Sequence, residues 1–73
     1  MEDGEKMNIK DKLFSELTEI MNSIIKLMAF QKSEEFNKLS NEMQNLLIAQ
    51  QSAMTTYGSI LQARIELIEK EGE

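Results

Sequence analysis

The chain has 73 residues and a formal charge of −5, with 13 acids against 8 bases, and it contains neither cysteine nor histidine. Without thiol or imidazole there is no disulfide framework and no usual zinc site, and the commonest general base near neutral pH is missing, which leaves carboxylates, lysines, hydroxyls or Tyr57 for such work. The acidic balance repels phosphate backbones and anionic membrane surfaces, so neither nucleic acid nor membrane is an expected partner. This length supports one domain, and a core so small leaves about 3–5 kcal/mol unless helix packing is well idealised or copies associate.

The absence of proline, the three glycines and the supply of Leu, Ile, Met, Glu, Lys and Gln predict an all-α chain, since these residues lose little freedom in a helix. No apolar run approaches the roughly 20 residues of a membrane span. Met1, Glu2, Asp3, Gly4 and Glu5 lack the basic and apolar regions of a signal peptide, so the expected location is cytoplasmic. Residues 1–7 are charged, hold Gly4 and show no periodic apolar residue before Met7; they read as a disordered tail ahead of a single helical domain over 8–72.

A first helix is expected over 8–31. Asn8 is a suitable N-cap, and Asp11 puts negative charge where the helix dipole favours it. Leu13, Leu17, Ile20, Ile24 and Leu27 then alternate by four and three, with Phe14, Met21 and Met28 as a flanking row.

The apolar face changes phase between residues 28 and 36, and a turn is the simplest cause. Gln31, Lys32 and Ser33 form a polar break, and Ser33 followed by Glu34 and Glu35 reads as an N-cap with acids in the first turn. The alternative is one long helix with a stutter, as neither Gly nor Pro enforces reversal.

The second helix carries the pattern around which the chain is organised. Phe36, Leu39, Met43, Leu46, Gln50, Ala53, Tyr57, Ile60, Arg64 and Leu67 follow at steps of three and four, the a and d spacing of a heptad, and Leu47, Met54, Leu61 and Ile68 form a second row beside them. Gly58, after Thr55 and Thr56 and before Ser59, offers a second break and a short third helix, but the rows pass through it without slipping, so a continuous helix is favoured. Gly72 is a natural stop. An antiparallel hairpin of a first helix about 36 Å long and a second about 55 Å long leaves an overhang. Ile60, Leu61, Ile65, Leu67 and Ile68 would then be exposed, an apolar patch too large for a lone chain.

Interaction residues are therefore expected on the second helix: Met43, Leu46, Leu47, Gln50, Ala53, Met54, Tyr57, Ile60, Leu61, Arg64, Leu67 and Ile68. Gln50 and Arg64 fall on a-type positions, where a polar group fixes register and Arg64 can reach Glu66 or Glu69 of another chain; turned outward, both would simply reach water. Met7, Met21, Met28, Met43 and Met54 suit an adaptable surface, but ordinary core filling is the favoured reading. The acid pairs Glu34 and Glu35, and Glu66 and Glu69, read as solvated faces, so no metal, cofactor or catalytic residue is assigned. Lys6, Lys10, Lys12, Lys26, Lys32 and Lys38 are interleaved with acids and form no basic patch.

Ser40, Asn41, Glu42, Met43 and Gln44, after a first helix of suitable length, resemble the signature of the small helix-loop-helix aspartyl-phosphate phosphatases of sporulation, but Gln44 stands where that family has an acid. Glu35, Phe36, Asn37, Lys38, Leu39 and Ser40, running into Leu46, Leu47, Ala49 and Ala53, are similar to the second helix of the small needle co-chaperones of type III secretion systems. That second resemblance implies an acidic helical hairpin that keeps an aggregation-prone subunit soluble.

The expected function is a non-enzymatic protein–protein interaction module, chaperone-like or an assembly subunit, that buries an apolar helical face against itself or another helical protein. The alternative is a phage- or plasmid-encoded small regulator, an antitoxin or anti-defence protein, whose oligomer masks an enzyme or sequesters a small ligand between subunits. Lys26, Lys38 and Arg64 would supply a partly basic junction only after assembly.

Overall fold

The structure, a computed structural model, describes residues 2–71, with side chains described from Ile9 onward. It is an all-α hairpin of two long helices, α1 (Glu2–Gln31) and α3 (Asn41–Glu71), joined through the single-turn helix α2 (Glu34–Asn37). The rod measures 53 × 15 × 14 Å between Cα atoms. Helix α1 is already helical at Glu2, ahead of the expected start at Asn8, whose side chain lies outside the described part, as does the expected stop at Gly72.

Reversal occurs where the phase jump places it, by a longer route than one turn. Ser33 caps as expected: its Oγ accepts from the Phe36 N–H at 3.2 Å and donates to the Phe30 carbonyl at 2.6 Å. The helix it opens ends after four residues. Lys38 and Leu39 close the turn through backbone bonds to Glu34, Glu35 and Phe36, and Ser40 caps α3 by accepting from the Met43 N–H at 3.1 Å. Phe36 is buried beside Phe30, edge to face with ring centroids 6.0 Å apart, and so plugs the closed end of the hairpin. Gln44 completes the connector, its amide donating to the carbonyls of Phe36 at 2.9 Å and Leu39 at 3.1 Å. The Phe36 carbonyl also accepts from the Leu39 N–H, and the Leu39 carbonyl lies beyond the end of α2, so the amide ties the connector to the first turn of α3.

Helix α3 is continuous through Gly58, so the short third helix considered there does not form. Gly58 is buried with ordinary helical geometry; a Cβ built on it would stand 3.5 Å from Cγ2 of Ile20 and 3.9 Å from Cδ1 of Leu17. That contact sets the antiparallel register, with Gly58 of α3 opposite Ile20 and Leu17 of α1. Leu13, Leu61 and Ile65 form the buried core, with Leu17, Ile20 and Ile68 packed against it.

This register corrects two expectations. The row that faces α1 is Leu47, Met54, Leu61 and Ile68 together with Gln44, Gln51, Gly58 and Ile65, whereas the row read as the main seam points outward. The overhang is also absent. The connector takes residues 32–40 out of the second helix, so α3 starts late enough for α1 to cover its far end, and Leu61 is 0% exposed. Phe36 and Leu39, expected on the long helix, belong to the connector.

Candidate interaction surface

Of the residues expected to meet a partner, the hairpin itself takes four. Leu61 is fully buried, and Leu47, Met54 and Ile68 are half-buried against α1. The other eight lie on one face of α3 and remain exposed: Met43, Leu46, Gln50, Ala53, Tyr57, Ile60, Arg64 and Leu67. Leu46 is 65% exposed, Ile60 50% and Leu67 53%, which is unusual for aliphatic side chains in a continuous row. They recur at the same three and four spacing as the inner row, each one residue before it, so α3 carries two seams and fills only one of them within the chain.

The chemistry of this outer strip is mixed. It holds no carboxylate, and Arg64 is its single charge. Gln50 lies exposed along the helix with its amide 3.8 Å from the sulfur of Met54. The Tyr57 hydroxyl donates to a carboxylate oxygen of Glu16 at 2.9 Å, tying the strip to α1. That bond holds the phenol above its ordinary pKa of 10.0, helped by partial desolvation and the charge of Glu16 and opposed by Arg64. Beside it a shallow, open cleft is lined by Glu16, Glu19, Ile20, Ser23 and Tyr57. Beyond the strip, Glu69 pairs with Lys10 of its own chain at 2.8 Å, and Lys26 and Lys38 stand exposed on separate elements.

A second exposed row, Phe14, Met21, Ile25 and Met28, runs along α1. The Tyr57–Glu16 contact shows which side of α1 adjoins the α3 strip, and the Phe14 row lies on the other side of the inward-facing Leu13–Leu27 row. The two rows therefore occupy opposite sides of the hairpin. Ile25 and the exposed Ile48 were not singled out from the sequence; Ile25 continues the Met21 and Met28 row at helical spacing, a signal that a search by strict sevens passes over.

Among the described residues no helix is long and apolar enough to cross a membrane, and no group of three or more acidic side chains is placed to hold a metal ion. A family model described as Sequestin matches residues 7–67. No curated protein and no solved structure matches the chain.

Proposed function

The chain belongs to the Sequestin family, and from that premise we propose that it is a non-enzymatic sequestering protein, a hairpin that associates with itself and, once assembled, takes another molecule out of circulation. The carrying observation is the outer strip of α3, eight residues in unbroken heptad spacing that the chain leaves exposed although its own hairpin is complete. The family name speaks of sequestration and supports a binding role over a catalytic one.

The molecule held is a small polar ligand at a junction between copies. Gln50, Tyr57 and Arg64 recur once per heptad within the strip, so that covering its apolar residues would gather an amide, a phenol and a guanidinium around a seam. Arg64 selects for an anion, with Lys26 and Lys38 at the edges of the assembly adding to that preference. A second reading is favoured by the row Phe14, Met21, Ile25 and Met28. Its flexible thioethers suit an apolar segment of another protein, which would make the hairpin chaperone-like and bring it near the secretion co-chaperones that its second helix resembles.

Sedimentation of the parent and of the Leu46→Asp, Ala53→Asp double variant tests the shared premise. Both positions are exposed, so the variant keeps its helical circular dichroism; the parent sediments as an oligomer and the variant as a single chain. A parent that is monomeric at high concentration removes the proposal. Native mass spectrometry of the assembled protein with inorganic phosphate, citrate and adenosine triphosphate, repeated on Arg64→Ala, then separates the two cargoes. The small-ligand reading expects adducts that vanish with Arg64.

A further inference from the structure

We propose that the outer strip of α3 is covered by the same strip of a second copy, antiparallel and in a single register centred near Thr55 and Thr56. The inference rests on the self-association proposed above and specifies its geometry. Its starting point is a symmetry in the sequence of α3. About that centre, each a-type residue of the strip falls opposite a d-type residue of the second copy: Met43 opposite Leu67, Leu46 opposite Arg64, Gln50 opposite Ile60, and Ala53 opposite Tyr57. Large side chains thereby meet small or flexible ones, with the ring of Tyr57 over the methyl of Ala53.

The flanking positions carry the independent support. On the side of the strip turned away from α1 the residues are Glu42, Ala49, Thr56, Ala63 and Lys70, all exposed. In the same register Glu42 faces Lys70 of the second copy at both ends, Ala49 faces Ala63, and Thr56 faces itself across the two-fold axis. The outer pairs are therefore opposite in sign, and small residues between them let the helices approach closely. Glu42 lies in the first turn of α3 and Lys70 in the last, where the helix dipole already favours each charge, so neither has to be moved to make the pair. A parallel pairing would instead set Glu42 on Glu42 and Lys70 on Lys70. Since the strip contains no carboxylate, its burial adds no acid repulsion to a chain of net charge −5.

Size and shape agree with a dimer. From Met43 to Leu67 the strip is about 36 Å long, and one hairpin width makes it on the order of 600 Å² per copy, at the lower end of stable interfaces. At 3.6 residues per turn the strip points about a right angle away from the row that faces α1. The two-fold axis then puts both α1 helices on the same side of the paired α3 helices, with Gln50, Tyr57 and Arg64 of both copies on the floor between them. Each half of that floor is built from two chains, because Arg64 of one copy lies within a turn of Gln50 of the other.

The chain has no cysteine, so introduced thiols report cleanly. Ala49→Cys and an affinity-tagged Ala63→Cys chain, mixed and treated with a short bismaleimide, should give the crosslink between the two variants and little of either with itself. In parallel, sedimentation equilibrium of E42K and of K70E should each show dimerisation weakened by about tenfold, on the scale of two surface ion pairs turned into repulsions, and the E42K, K70E double variant should regain the parent value. Dimers that crosslink only like with like, or singles that are not rescued by the double, overturn the register while leaving self-association standing. A parent that stays monomeric overturns both.

Discussion

A Cβ placed on Gly58 would lie 3.5 Å from Cγ2 of Ile20, an ordinary van der Waals distance rather than a clash, so the two helices do not require the glycine in order to approach. Gly58 also has no left-handed backbone to preserve. Its cost is the helix propensity it forgoes, about 1 kcal/mol relative to alanine. Gly58→Ala should therefore raise the melting temperature by about 4–8 °C, whereas Gly58→Leu must push Ile20 and Leu17 aside and should lower it, overpacking costing about 1–3 kcal/mol. Thermal unfolding followed by circular dichroism reads both, and destabilisation by alanine would mean that the helices pack closer than this register allows.

Leu61 and Ile60 are neighbours with opposite fates, one 0% and the other 50% exposed. Leu61→Ala removes the centre of the Leu13, Leu61 and Ile65 core and should cost about 2–5 kcal/mol. That is most of what a domain of this size has, so the variant should be largely unfolded at ambient temperature. Ile60→Ala should change the unfolding of a single chain by no more than about 0.5 kcal/mol while weakening self-association. Urea titration at two protein concentrations distinguishes them. Equal losses in both variants would show that the two rows have been exchanged.

The hairpin was legible in the sequence because Leu13, Leu17, Ile20, Ile24 and Leu27 leave one solution for the inner face of α1, and the phase change near Ser33 demands a break. Which row of α3 answers them was not. The inner row includes Gln44, Gln51 and Gly58, so counting apolar residues favours its neighbour, where Met43, Leu46, Ala53, Ile60 and Leu67 look more like a core. Pairing decides the matter: Gln51 meets Gln31 in a side-chain hydrogen bond of 2.7 Å, Gly58 accommodates Ile20, and Gln44 serves the connector. The misplaced end of the second helix has the same origin, since the length of the connector depends on Gln44 and Ser40 capping across it. That Met43, Leu46, Gln50, Ala53, Tyr57, Ile60, Arg64 and Leu67 share one face of α3 was legible because spacing is a property of one helix, independent of what covers it.

Gln44, half-buried in the first turn of α3, has a task that an ionised carboxylate could not perform. Its Nε2 donates to the carbonyl oxygens of Phe36 and Leu39. Gln44→Ala should lose on the order of 1–2 kcal/mol as those acceptors turn to water. Gln44→Glu should lose more at neutral pH, because a carboxylate set against two carbonyls repels them and has no proton to give. Lowering the pH protonates the introduced carboxylate and restores a donor, so the gap between the two variants should narrow in acid. Chemical denaturation at pH 7 and pH 4 tests the order; a glutamate variant as stable as the parent at pH 7 would mean that the amide does not hold the connector.

Tyr57 is the only tyrosine, so its ionisation can be followed in the ultraviolet without interference. Its phenol donates to Glu16, and the bond exists only while the phenol keeps its proton, which is why its pKa lies above 10.0 when folded. The stabilising contribution is therefore complete below the ordinary tyrosine pKa and disappears as the pH rises through the elevated one, where phenolate and carboxylate repel across the hairpin. Glu16→Gln should bring the titration midpoint back toward 10.0, whereas Arg64→Gln, which removes the one nearby charge that lowers it, should raise the midpoint further. Denatured protein supplies the reference value. A folded midpoint equal to that reference, and indifferent to Glu16, would mean that the two helices are not joined at this point in solution.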